Sequence, residues 1–193
     1  MTVTALFRPH ENKAALVYDL ISVLGGSWLI ALAAQFSISL PFSPVPITGQ
    51  TFAVLLVGAL AGRRLGSLSV MAYLAQGLAG LPVFAGGSSG LARLLGPTGG
   101  YLLGFLGAAW LIGNLAEHGW TLRLDKTLLA MLLANTVIYL VGLPYLALFI
   151  GVDKALALGL YPFLIGDLIK ILLATLCLPF GWKVYLALRT RFI

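Results

Sequence analysis

Residues 163–180 read FLIGDLIKILLATLCLPF, and within that apolar run only Asp167 and Lys170 carry charge. A helix crossing about 30 Å of hydrocarbon needs roughly 20 mostly apolar residues, and this run with its flanks is one of several such stretches. A charge at a helix centre in lipid costs about 2.5–3.5 kcal/mol on insertion scales, so it faces a partner or a polar cavity rather than acyl chains. The rest of the chain agrees with lipid as its solvent. It is 60% hydrophobic and 9% charged, whereas a soluble domain is about 25% charged. The expectation is an all-α, multi-pass cell-membrane protein made of a single domain over residues 1–193.

Six spans are expected, at about 20–40, 47–62, 65–81, 98–116, 127–150 and 162–186. Pro41, Pro44 and Pro46 close the first, because proline removes a backbone donor and clashes with the preceding turn. Gly62, Arg63 and Arg64 form a tight turn between the second and third, and Pro144 marks a kink or early end in the fifth. With the N-terminus inside, Arg8, Lys13, Arg63, Arg64, Arg123, Lys126, Lys183, Arg189 and Arg191 fall on the cytoplasmic side. Arg93 and Lys154 fall outside, and Lys170 lies in the membrane. That asymmetry follows the positive-inside rule, so both termini are expected in the cytoplasm.

Several function classes are excluded at this stage. The basic residues sit at the ends of apolar runs and form no stripe with interleaved aromatics, so nucleic acid is not an expected partner. Cys177 is the one cysteine, and no His/Cys spacing suits a metal. No Ser/His/Asp, Cys/His or paired-carboxylate arrangement suggests catalysis, and no GxxxxGK[ST] loop is present for a nucleotide. The first eighteen residues lack the compact apolar core and cleavage site of a signal peptide, so the N-terminus is expected to stay on the protein.

The polar residues within the apolar chain are the candidates for function. Asp167 and Lys170 are three apart and share a helix face. Two readings are open: a structural pair, or a pair lining a ligand pocket. Desolvation can exceed the attraction in a buried ion pair, which tilts the reading toward a ligand. At about 1.5 Å per residue, a helix starting near Pro162 puts the pair roughly 8–12 Å below its outer end. Arg93, alone in a glycine-rich outer connection, suits a carboxylate through its forked donors, or stands as a loop arginine near headgroups. Thr48, Gln50 and Thr51 lie on the other long outer connection, which falls on the same side. Ser27 with Ala31, and Ala33 with Ser37, place small residues four apart in the first span. Such spacing allows close helix approach, within the subunit or against another protein.

Three strings, PVPITGQTFAVLLVGALAGRRLG, GLPVFAGGSSGLARLLGPTGGYLLGF and FLIGDLIKILLA, closely resemble the BioY family. These are the biotin-binding S components of energy-coupling-factor (ECF) transporters. The likeness runs from about Leu20 to Leu186 with the motifs in the same order. It implies a six-helix S-component bundle that captures biotin from outside and docks on a membrane T component carrying two ATPase subunits. It also leaves open solitary action, with a homo-oligomer as one form, or ion-coupled uptake; a non-transport scaffold is the bland alternative.

By this resemblance, Asp167 and Lys170 are the Asp and Lys of the family's GDxxK motif, both expected in the biotin pocket, with Arg93 a further candidate. Biotin is the transported ligand, and no cofactor is implied. Its ureido N–H groups suit Asp167, and its carboxylate suits Lys170 or Arg93. By position, Phe52, Leu81, Phe84 and Tyr101 are expected as apolar walls, with Thr48 and Gln50 adding hydrogen bonds. S components often meet the T component through an AxxxA pair on the first helix. This chain offers Ser27 with Ala31, or Ala33 with Ser37, in its place.

Overall fold

The computed structural model describes residues 2–189, with side chains through Lys183. It is almost wholly helical: α1 (Val3–Phe7), α2 (Asn12–Gln35), α3 (Gln50–Leu78), α4 (Leu91–Leu95), α5 (Gly99–Glu117), α6 (Leu124–Ile150), α7 (Val152–Gly159) and α8 (Tyr161–Arg189). A two-residue ribbon, β1 (Ser37–Ile38) against β2 (Ile47–Thr48), joins α2 to α3. Five helical stretches, Asn12–Gln35, Gln50–Leu78, Gly99–Glu117, Leu124–Ile150 and Val152–Lys183, are long and apolar enough to cross a membrane.

α3 is not one straight rod. Gly62 has φ 83° and ψ 176°, a region open to glycine because it lacks a Cβ. A Cβ built on Gly66 would lie 2.8 Å from the Cα of Gly58, although eight residues of straight helix would separate them by about 12 Å. The chain therefore folds back at Gly62 into limbs 50–61 and 63–78. This is the turn expected at Gly62–Arg64, and it gives six apolar helical limbs.

Packing between limbs rests on small residues, as close helix approach in lipid requires. A Cβ on Gly58 would lie 2.8 Å from the carbonyl oxygen of Ala109 in α5, and one on Gly104 would lie 3.0 Å from the backbone of Ile138 in α6. α5 is thus wedged between α3 and α6. α8 buries Phe163, Asp167, Ile171, Ala174, Leu178 and Trp182, and exposes Ile165, Leu168, Leu172, Leu176 and Phe180. Asp167 and Lys170 point inward while most of its leucines face out, the reverse of a surface helix in a soluble protein.

The helices assemble with two distinct ends. At one, Arg8 forks onto Asp19 at 2.9 and 2.8 Å, Arg63 meets Glu117 at 3.3 Å, and Thr4 donates to the Ala61 carbonyl at 2.9 Å. At the other, the ribbon, the 79–98 connection and the starts of α5 and α8 converge. Of the basic residues assigned to the first end, Arg191 lies outside the described residues and Arg189 beyond the described side chains.

Several expectations are corrected. The first helix spans Asn12–Gln35 rather than 20–40, because Ser37 and Ile38 leave the helix to pair with Thr48 and Ile47. α6 runs through Pro144 to Ile150 without terminating, and α7 is an extra short helix. The small residues of α2 serve the subunit's own packing. Ser27 and Ala31 are buried, and Gln76 of α3 donates to Ser27 Oγ at 3.1 Å. Half-buried Ala33 and Ser37 are engaged as well: a Cβ on Gly49 would fall 2.8 Å from the Ala33 carbonyl, and Ser37 pairs with Thr48. Ser27 and Ala31 thus face the interior of the subunit.

Candidate functional site

Asp167 and Lys170 sit on the inward face of α8, about two turns from its start. Lys170 Nζ contacts Asp167 Oδ1 at 3.1 Å, donates to Thr51 Oγ1 at 3.0 Å and donates to the Thr48 carbonyl at 2.8 Å. An ammonium carries three donors, so all three are in use. Asp167 Oδ2 accepts from Asn135 Nδ2 at 3.1 Å and from the Tyr139 hydroxyl, both on α6. Its Oδ1 accepts from Lys170 and, at a long 3.5 Å, from Thr51. A carboxylate has about four lone-pair sites, and the Thr51 contact is the weakest claim on any of them.

These groups form one wall of a cavity whose other walls are mostly apolar. Ligand sites of small molecules commonly combine apolar linings with a few fixed polar groups. Here Phe84, Tyr101, Leu102, Phe105 and Phe163 supply the apolar lining, and Tyr139 lies edge-on to Tyr101 with ring centres 6.1 Å apart. Gln50 lines the cavity at the start of α3 while its Nε2 donates to the Tyr73 hydroxyl. Arg93 of α4 also lines it, and its guanidinium makes no hydrogen bond or ion pair to another described residue. The site therefore joins a satisfied anion–cation cluster to an unpaired cation across apolar walls. Such a cavity suits a small, partly apolar molecule that bears a carboxylate and N–H donors.

The BioY family model matches residues 7–187. The chain belongs to the BioY family. A probable biotin transporter BioY from Pyrococcus horikoshii is 42% identical over 74% of this chain and 82% of its own length. A biotin transporter BioY from Thermotoga maritima is 39% identical over 85% and 90%. Among solved structures, the S-component for biotin from an ECF-type ABC transporter superposes with a TM-score of 0.79 at 30% identity, covering 91% of this chain and 95% of that one. BioY membership makes this a transport protein rather than an enzyme.

Of the site residues proposed from the sequence of this BioY chain, Asp167, Lys170, Arg93, Thr48, Gln50, Phe84 and Tyr101 line the same cavity. Two do not. Leu81 is 45% exposed outside it, and Phe52 lines a small void behind the charged pair with Thr51 and Asn135. Asn135, Tyr139 and Thr98 went unmarked in the sequence. A signal for the first two existed: an amide and a phenol four apart in an apolar span share one helix face.

Proposed function

We propose that this chain is the biotin-capturing subunit of a vitamin uptake system in the cell membrane. It crosses the bilayer six times with both termini in the cytoplasm and the cavity open to the outside. The observation that carries this reading is the convergence of the Asp167–Lys170 cluster, unpaired Arg93 and aromatic walls in one cavity, at the end away from Arg63 and Arg64. A ureido N–H takes the Asp167 Oδ1 site that Thr51 holds only at 3.5 Å. The fused rings lie against Phe84, Tyr101 and Phe163. The carboxylate goes to Arg93, because every proton of the Lys170 ammonium is already engaged.

In the arrangement known from its family, the chain passes its ligand on with a T component and two ATPase subunits. The chain is not itself a source of ATP hydrolysis in this reading. The test is thermal unfolding of the detergent-purified chain with and without biotin. A ligand at a hundred times its dissociation constant stabilises by about 2.7 kcal/mol, so the midpoint rises with biotin concentration. A midpoint indifferent to biotin rejects the reading.

A further inference from the structure

Thr98 stands at the N-terminal cap of the 19-residue helix α5, yet its side chain makes no capping hydrogen bond. A threonine in that place ordinarily accepts a hydrogen bond from an amide of the helix's first turn. Here the residue is 8% exposed, and Oγ1 is buried without any hydrogen-bond partner. Buried hydroxyls are almost always satisfied, so an orphan asks for a reason. Among the described residues, Ser67, Gln76, Thr121 and Thr175 also bury an unpaired side-chain atom, but only Thr98 borders the central cavity.

Arg93 lines the same cavity from the preceding short helix, across the Gly96–Pro97 turn, without an ion-pair partner among the described residues. The α5 N-terminus adds a partial positive charge beside the Thr98 hydroxyl. Lys170, the other cation in the cavity, has no proton to spare. The cavity thus has two chemically different regions. One is the acceptor-rich Asp167 cluster; the other offers a guanidinium and an unused hydroxyl, with no carboxylate among its named groups.

We infer that Thr98 and Arg93 together form the subsite for the ligand's carboxylate, the hydroxyl donating to one oxygen and the guanidinium pairing with the anion. This rests on biotin being the ligand and assigns its acid end to the start of α5. It gives Thr98 a partner in the liganded state that it lacks in the free one. It also makes Thr98 a specificity residue, since a site built to hydrogen-bond a group disfavours analogues that lack it.

The test titrates the purified chain with biotin and with the analogue whose side chain ends in a methyl group in place of the carboxylate. The wild type is expected to prefer biotin by at least about a hundredfold, two charge-assisted contacts being lost with the analogue. Thr98→Val is expected to weaken biotin by about tenfold and leave the analogue unchanged, while Thr98→Ser retains the wild-type preference. Arg93→Gln is expected to narrow the preference further.

Equal wild-type affinity for the two ligands overturns the subsite without any variant. So does a Thr98→Val chain that binds biotin as the wild type does, or that loses both ligands alike. A wild type that binds neither ligand rejects the biotin reading, and the subsite with it.

Discussion

The Lys170 ammonium lies 2.8 Å from the backbone carbonyl of Thr48, tying α8 to the corner where the ribbon turns into α3. The same nitrogen holds Asp167 Oδ1 at 3.1 Å. One lysine thus fixes both the carboxylate and the rim of the cavity, and the carboxylate is aimed by groups from three elements.

That relationship separates a structural pair from a ligand site. Removing one charge from a buried pair strands the other, at a cost of about 3–5 kcal/mol when both are fully buried; Lys170, at 21% side-chain exposure, lowers that figure. Lys170→Ala is expected to lower the unfolding midpoint of the biotin-free protein as well as its affinity. The double variant Asp167→Asn, Lys170→Met leaves no stranded charge, so it is expected to regain most of the stability and none of the binding. Calorimetric titration beside a thermal melt reads both. Recovery of binding in the double variant contradicts a ligand role for the pair.

Tyr139 donates to Asp167 Oδ2 while its ring lies edge-on to Tyr101. Tyr139→Phe keeps the ring and removes the donor, leaving Asn135 alone on that oxygen. The expected outcome is a loss of about tenfold or more in biotin affinity, the scale of one hydrogen bond to a charged group, with the biotin-free fold intact. Unchanged affinity in a competition assay contradicts a positioning role for the hydroxyl.

Helix packing makes its own prediction. A side chain at Gly58 meets the Ala109 carbonyl oxygen and Cα, at 2.8 and 3.1 Å from the first added carbon, and backbone has little room to give. Gly58→Val is expected to prevent recovery of monodisperse protein in detergent. Gly25, on the same kind of helix, has nothing within 4 Å. Gly25→Ala is expected to be neutral or to stabilise by up to about 1 kcal/mol, the helix propensity difference. Equal behaviour of the two variants in size-exclusion chromatography contradicts the packing described.

Much of this was legible in the sequence because lipid imposes simple rules. Length and hydropathy find α5 within a residue at each end, and the turn at Gly62 follows from a glycine between two apolar runs and two arginines. The cost of a charge in hydrocarbon singles out Asp167 and Lys170. Hydropathy could not distinguish the helix ends from the ribbon, since Ile38 is as apolar as the helix it follows and Ile47 as the helix it precedes. Nor could it assign Ser27 to an inner face, because small residues four apart permit either kind of contact. Leu81 is apolar in a cavity-side connection but turned outward, and orientation in an irregular segment has no period to read. Thr98 reads as an ordinary helix cap until its hydroxyl is found idle.

The most direct measurement is the biotin affinity of Asp167→Asn against the wild type, by calorimetric titration of the detergent-purified chain, with thermal melts to show that both are folded. An amide keeps the shape but loses the charge that makes this acceptor strong. The expected result is a folded protein whose affinity falls by at least about tenfold. A folded variant that binds biotin as tightly as the wild type contradicts the assignment of Asp167 as the group that reads the ligand.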